Sequence, residues 1–370
     1  MAPRSISIIT SALLCGFVLA PLFAVWRQAE TFAGLGPADW LALRFTILQA
    51  LFSAVISCSL AIPVARALSR SQFLGRGLVI KLMGAPFILP VLVAILGLIA
   101  VFGQNGWANI ALRSLGIANF SIYGLQGILL AHVFFNLPLA TRLILLGWAT
   151  VPQERLRLAQ HLALSPSARF RLIEFPMLAN ITPSAFVVIF VICLSSFAVA
   201  LALGGGPKST TLELAIYQAF RFDFDFAKAA LLGLIQLSLS LSAAFFALGL
   251  ARGDQLGIGS DHPIDFGARS VAQKIQDFVM ICLALTFLGV PLVWVLVDGI
   301  SSLSEILLKV WKAAVRSIFI ALGATLICLL LAFSLLNRSG ELLATLGIAI
   351  SPMVLGTGLF LIVRPFFNPS

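Results

Sequence analysis

Residues 122–178 read IYGLQGILLAHVFFNLPLATRLILLGWATVPQERLRLAQHLALSPSARFRLIEFPML, and the fold follows from the join between their two halves. The first half, 122–147, is long and apolar enough to cross a bilayer core, which takes about 20 residues of helix. The second half, 151–178, is basic, helix-forming and bounded by Pro152 and Pro176. A greasy run followed by a short basic one is the texture of an α-helical membrane protein, and the rest of the chain repeats it.

Applied outward from that join, the same rule predicts about nine spans, roughly 6–26, 44–65, 82–103, 122–147, 181–203, 229–251, 278–298, 315–336 and 343–363. The first is read as a retained helix, because its apolar run is too long for a signal peptide and no small-residue cleavage site follows it. Of the 370 residues, 60% are hydrophobic and 10% charged. Soluble domains carry about 25% charged residues, so one globular core cannot hide this much apolar surface. The formal charge of +10 lies in short loops between apolar runs. That pattern points to the lipid bilayer as partner, not to nucleic acid.

Those basic residues also set the orientation. One loop carries Arg66, Arg70, Arg76 and Lys81, and the next on the same side carries Arg142, Arg155, Arg157, Arg169 and Arg171. Loops rich in Lys and Arg stay in the cytoplasm, which puts the N-terminus and 151–178 there too. Cys15, Cys58, Cys193, Cys282 and Cys328 all fall in apolar runs without metal-ligand spacing. They read as small packing residues, with no metal site, disulfide framework or cofactor implied. Asp254, Asp261, His262 and Asp265 in the polar break 252–277 read as a solvated loop.

That break divides the chain into 1–39 (an N-terminal helix and outside loop), 40–251, a linker 252–277, and 278–370. The halves resemble each other: IALGATLICLLLAFSLL (320–336) echoes LQALFSAVISCSLAIPVARAL (48–68), and ISPMVLGTGLFLIV (350–363) echoes GAPFILPVLVAILGLIAV (84–101). Two tandem repeats are expected, with a pathway between them. No counterpart of 151–178 occurs before Ser370. The second repeat is therefore expected to be incomplete, as in a truncated and inactive product, a chain completed by another polypeptide, or one that pairs with itself.

Within 151–178, Pro152 suits a first helical position and Glu154 complements the dipole of the first turn. Leu156, Ala159, Leu162 and Ala163 share one face, with Arg155, Arg157 and Gln160 off it. Ser165 before Pro166 reads as an N-cap. The expectation is two short amphipathic helices joined by a tight turn, the second broken by Pro176 before the next span. Mid-span, Gln49, Gln126, His132, Asn136 and Gln236 are the polar exceptions, each either a path-lining group or an interhelical hydrogen bond. His132 and Asn136 share a face at i, i+4, with Gln126 near it.

The stretch 151–178 resembles the cytoplasmic motif of permease subunits in binding-protein-dependent importers of the ATP-binding-cassette type: EAA, three residues, G, nine residues, I, one residue, LP. Here it reads Arg157-Leu158-Ala159, Ala163, then Ile173-Glu174-Phe175-Pro176. Ala159, Ile173 and Pro176 match; Arg157, Leu158, Ala163 and Phe175 depart. Residues 42–68, 86–107 and 197–232 are similar to the permeases of thiamine importers and their ferric-iron relatives, including GGGP-x-x-x-T-L-E-x-A-I-Y-Q at 204–218. NGW at 105–107 and AIYQAFRFDFDFAKAALL tilt the resemblance toward thiamine or its phosphates.

The resemblance implies a non-enzymatic subunit of a bacterial inner membrane. A separate ATP-binding subunit, two copies in the family, would dock at Pro152, Glu154, Arg157, Ala159, Ala163, Ser165, Pro166, Phe170, Ile173 and Pro176. A periplasmic binding protein would deliver substrate, with Gly204, Gly205, Gly206 and Pro207 in an outside loop or gate. If the glycine position of the motif needs a left-handed backbone, Ala163 carries about 1–2 kcal/mol of strain. The sequence holds no G-x-x-x-x-G-K-[ST] phosphate loop of its own. Ferric iron or another small solute stays open as cargo. A secondary transporter would call for buried carboxylates mid-span, and a membrane enzyme for an acid, base or metal cluster; the sequence shows neither.

Overall fold

The computed structural model describes residues 4–29, 34–84, 86, 89–250, 270–303, 307–334 and 352–366, and among these the regular elements are all helical. In chain order they are α1 (Arg4–Ala29), α2 (Pro37–Arg70), α3 (Arg76–Leu82), α4 (Val91–Phe102), α5 (Trp107–Ser114), α6 (Leu125–Ala149) and α7 (Gln153–His161). Then follow α8 (Pro166–Leu194), α9 (Phe197–Leu203), α10 (Leu212–Arg221), α11 (Phe226–Leu250), α12 (Val271–Ser301), α13 (Leu308–Ser334) and α14 (Pro352–Val363).

Eight stretches among the described residues are long and apolar enough to cross a membrane: α1, α2, α4 with α5, α6, α8, α11, α12 and α13. The ninth expected span, 343–363, is described only through α14, since 343–351 lies outside the described residues.

Three expected boundaries move, each for a local reason. The span predicted over 82–103 overlaps the end of α3 at Leu82, and α4 starts at Val91, directly after Pro90, which holds the backbone at φ −56°, ψ 131° and restricts the residue before it. The span predicted over 181–203 is interrupted between α8 and α9, where Ser196 is extended at φ −85°, ψ 92°. Helix α12 starts at Val271, inside the stretch read as linker. Ser270 and Gln273 form a capping box: Gln273 N–H donates to Ser270 Oγ (3.3 Å) and Ser270 N–H to Gln273 Oε1 (3.2 Å). The rest of that stretch, 252–269, with Asp254, Asp261, His262 and Asp265, lies outside the described residues.

The chain forms two compact units. The larger comprises Trp40–Thr211 and Ala243–Val295. Its core gathers Leu68, Ile95, Leu98, Ile122, Ile128, Phe134 and Leu203 with Ile281, Ala284 and Leu288 of α12. Gly97 lets α4 reach α12 backbone to backbone, since a β-carbon there would stand 2.6 Å from the Pro291 carbonyl oxygen. Phe134 meets Phe287 edge-on, with ring centroids 5.9 Å apart.

The second unit comprises Met1–Asp39, Leu212–Ser242 and Leu296–Ser370. Here α1 packs on α14, with Gly358 pressed against Pro21. The Phe226 and Phe360 rings stack, Phe220 meets both edge-on, and Arg364 lies over Phe226 at 4.8 Å. Lys228 Nζ pairs with the buried Asp39 carboxylate at 3.1 Å.

Candidate functional site

The basic stretch that follows α6 builds a two-part element at one end of the larger unit. Helix α7 starts after Pro152 and ends in a Schellman turn: Leu164 N–H donates to Ala159 O (3.0 Å) and Ala163 N–H to Gln160 O (2.9 Å). That turn places Ala163 at φ +47°, the left-handed region, so the conditional strain of about 1–2 kcal/mol applies. Ser165 caps α8 as its position suggests, accepting from Ala168 N–H at 3.3 Å.

Two expectations fail here. Pro176 does not end a second short helix; α8 runs through it to Leu194. A proline removes one i→i−4 hydrogen bond and its ring crowds the i−4 carbonyl. The chain avoids the clash by passing first through a π turn, Phe170–Glu174, in which Phe175 N–H bonds to Phe170 O five residues back. Nor do Leu156, Ala159, Leu162 and Ala163 form one buried face. Leu156 and Ala159 are buried, but α7 stops at His161, and the turn carries Leu162 and Ala163 into the open.

The exposed side of this element carries an apolar pair. Leu158 and Leu162, spaced i, i+4, are 59% and 62% exposed. Pro152, Glu154, Arg155, Arg157 and Gln160 are exposed beside them, Ile173 is half-buried, and Pro176 is exposed.

The underside is held by a charge pair that sequence reasoning missed. Glu174 is 2% exposed, and its carboxylate accepts from Arg66 Nε at 2.5 Å and from Arg66 Nη2 at 3.3 Å. The same guanidinium lies over the Phe170 ring at 5.1 Å. The only hint in the sequence was an acid inside an otherwise apolar motif segment; its partner lies 108 residues away. Arg142 also reaches this end of the unit, 3.1 Å from the space a Gly84 side chain would fill.

Within the spans, the polar residues separate. His132 joins two other segments: Nδ1 is 2.9 Å from Ser53 Oγ of α2, and Nε2 is 2.8 Å from Ser196 Oγ. Gln49 Nε2 donates to the Cys193 carbonyl (2.8 Å), and Asn136 Nδ2 lies 3.3 Å from Cys193 Sγ. Gln49, Ser53, His132, Asn136 and Cys193 are all buried. The second amide atoms, Gln49 Oε1 and Asn136 Oδ1, find no partner among the described residues. Gln126 does not join this group; it is exposed at the start of α6. Gln236 is buried in the smaller unit.

The glycine turn after α9 is closely built. Gly205 (φ +69°) and Gly206 (φ +131°) take conformations that favour glycine, and Gly205 packs against Tyr123 and Gly124. Gly124 N–H donates to Leu203 O at 2.7 Å, which ties the turn to the start of α6. Gly204 is buried and Pro207 exposed.

No family model matches the chain. Individual relatives do. It is 40% identical over 386 residues to the thiamine transport system permease protein ThiP of Escherichia coli (strain K12), covering 96% of this chain and 70% of the relative. It is 40% identical over 380 residues, with the same coverage, to ThiP of Salmonella typhimurium (strain LT2). To ThiP of Haemophilus influenzae it is 34% identical over 379 residues, again 96% of this chain and 70% of the relative. Similarity of that depth and reach, on an all-helical multi-span fold, is more than shared apolar composition produces. The chain belongs to the family of thiamine transport system permease proteins.

Proposed function

We propose that the chain is the transmembrane permease subunit of an importer for thiamine or its phosphates, driven by a separate ATPase and supplied by a periplasmic binding protein. Its relatives carry thiamine transport in their names. The observation that carries the assembly is the exposed Leu158–Leu162 pair, framed by Arg155, Arg157 and Gln160, on an element fastened to the bundle underneath. An apolar pair with a charged rim at the end of a membrane protein fits a protein partner better than lipid headgroups. That partner is the ATP-binding subunit, with the N-terminus and this element on the cytoplasmic side of the inner membrane. The gathering of Arg66 and Arg142 at the same end of the unit supports that orientation.

The cluster of Gln49, His132 and Asn136 is the proposed lining of the path in the first repeat, residues 40–251. Its amides and hydroxyls offer acceptors, and no Lys or Arg stands among them, which suits a cationic heterocycle with an amino group. The outside turn at Gly204–Pro207 is the proposed gate on the binding-protein side.

The test is uptake of radiolabelled thiamine into proteoliposomes holding the permease with its ATPase. Accumulation is expected only with ATP inside the reach of the ATPase and binding protein on the opposite face. Uptake that ignores both overturns the reading. Replacing His132 with Ala and Asn136 with Leu together should lower uptake at least tenfold; unchanged uptake removes the pair from the path.

A further inference from the structure

Helices α2 and α8 touch through polar groups at two well-separated levels. At one, Arg66 of α2 grips Glu174 of α8; at the other, Gln49 of α2 donates to the carbonyl of Cys193 on α8. Gln49 and Arg66 are 17 residues apart, about 25 Å along a helix, and Glu174 and Cys193 are 19 apart, about 28 Å. The two rails are nearly equal in length. The α2 rail carries Pro63 and the α8 rail carries Pro176 and Pro183, and both stay helical through them.

The first tie sits in the π turn that leads out of the basic element, and the second sits in the buried polar cluster. His132 extends the far tie to α6, because it bridges Ser53 of α2 and Ser196 just beyond α8. A displacement of the turn holding Ala163 and Ser165 therefore enters α8 directly, and the Arg66–Glu174 pair is the nearer of these two ties through which it enters α2. Without the charge pair, the end of α8 beside the basic element can shift against α2, with the distant Gln49–Cys193 tie left to hold the two together.

We propose that Arg66 and Glu174 are positioning residues that make α2 and α8 move as one strut, so that work done on the basic element reaches the polar cluster. The inference rests on the importer reading. Its test is chosen so that a failure of that reading shows first, in the unmodified protein, as the absence of binding-protein-stimulated ATP hydrolysis.

In the assembled transporter in liposomes, thiamine moved per ATP hydrolysed is measured for the wild type, Glu174→Gln and Arg66→Lys. Glutamine keeps the shape and loses the charge; lysine keeps the charge and loses the two-pronged grip and the ring contact. A folding defect lowers stimulated hydrolysis and uptake together and leaves their ratio in place. A broken strut lowers the ratio. The expected ratio falls at least tenfold in Glu174→Gln and about threefold in Arg66→Lys, with stimulated hydrolysis persisting. An unchanged ratio in both overturns the proposal. If Glu174→Gln does not accumulate in the membrane, Arg66→Lys alone decides, and its unchanged ratio is the contrary result.

Discussion

Helices α6 and α13 are both long enough and apolar enough to span a bilayer, yet 61% of the most apolar stretch of α6 is buried and only 6% of that of α13. The two also differ in what their polar side chains reach. His132 and Asn136 of α6 reach hydrogen-bond partners on other segments, and leaving such groups unpaired in hydrocarbon is costly. Thr325 of α13 satisfies itself, its hydroxyl donating to the Ala321 carbonyl one turn back at 2.7 Å. It calls for no neighbour. Ile318, Phe319, Leu322, Leu326 and Phe333 around it are all exposed. Apolarity takes a helix into the membrane; polar groups that need distant partners draw it into the bundle.

The largest effect expected from this contrast is on stability. Phe134 of α6 is fully buried between Phe135 and Phe287, whereas Phe319 of α13 is 71% exposed. Lipid is as apolar as a protein core, so the cost of Phe134→Ala is mainly the cavity, about 2–3 kcal/mol. Phe319→Ala should change stability by less than about 0.5 kcal/mol. Unfolding in mixed micelles titrated with SDS measures both, and equal costs would break the contrast.

A smaller effect sharpens it. Trp148 of α6 is 2% exposed and Trp311 of α13 is 54% exposed. In variants retaining one of the six tryptophans, brominated lipid should quench Trp311 several-fold more strongly than Trp148. Similar quenching would mean that other protein covers α13 or that lipid reaches the end of α6.

How far the sequence could be read follows the same division between local and distant partners. The spans were legible because apolar runs declare themselves. The Ser165 cap was legible, and a left-handed Ala163 could be posed as a condition, because a cap and a motif position act within a few residues. The capping box at Ser270 and Gln273 was equally local and was overlooked within a polar stretch. By contrast, Gln49 with Cys193, Ser53 with His132, and Arg66 with Glu174 join residues 144, 79 and 108 apart. No spacing rule on one helix reveals them. Periodicity did put His132 and Asn136 on one face, but it also drew in Gln126, which the geometry leaves exposed. Pro176 misled because the proline rule concerns α-helical register, and the π turn before it changes that register.

The central claim is that the element 151–178 receives an ATP-driven partner on its Leu158–Leu162 side. The most direct measurement places a photo-cross-linking residue at Leu158, Leu162 or Phe319 in the assembled transporter and identifies what each captures. Capture of the nucleotide-binding subunit from Leu158 and Leu162, with lipid alone at Phe319, is the result expected. Capture of lipid alone from all three would contradict the account.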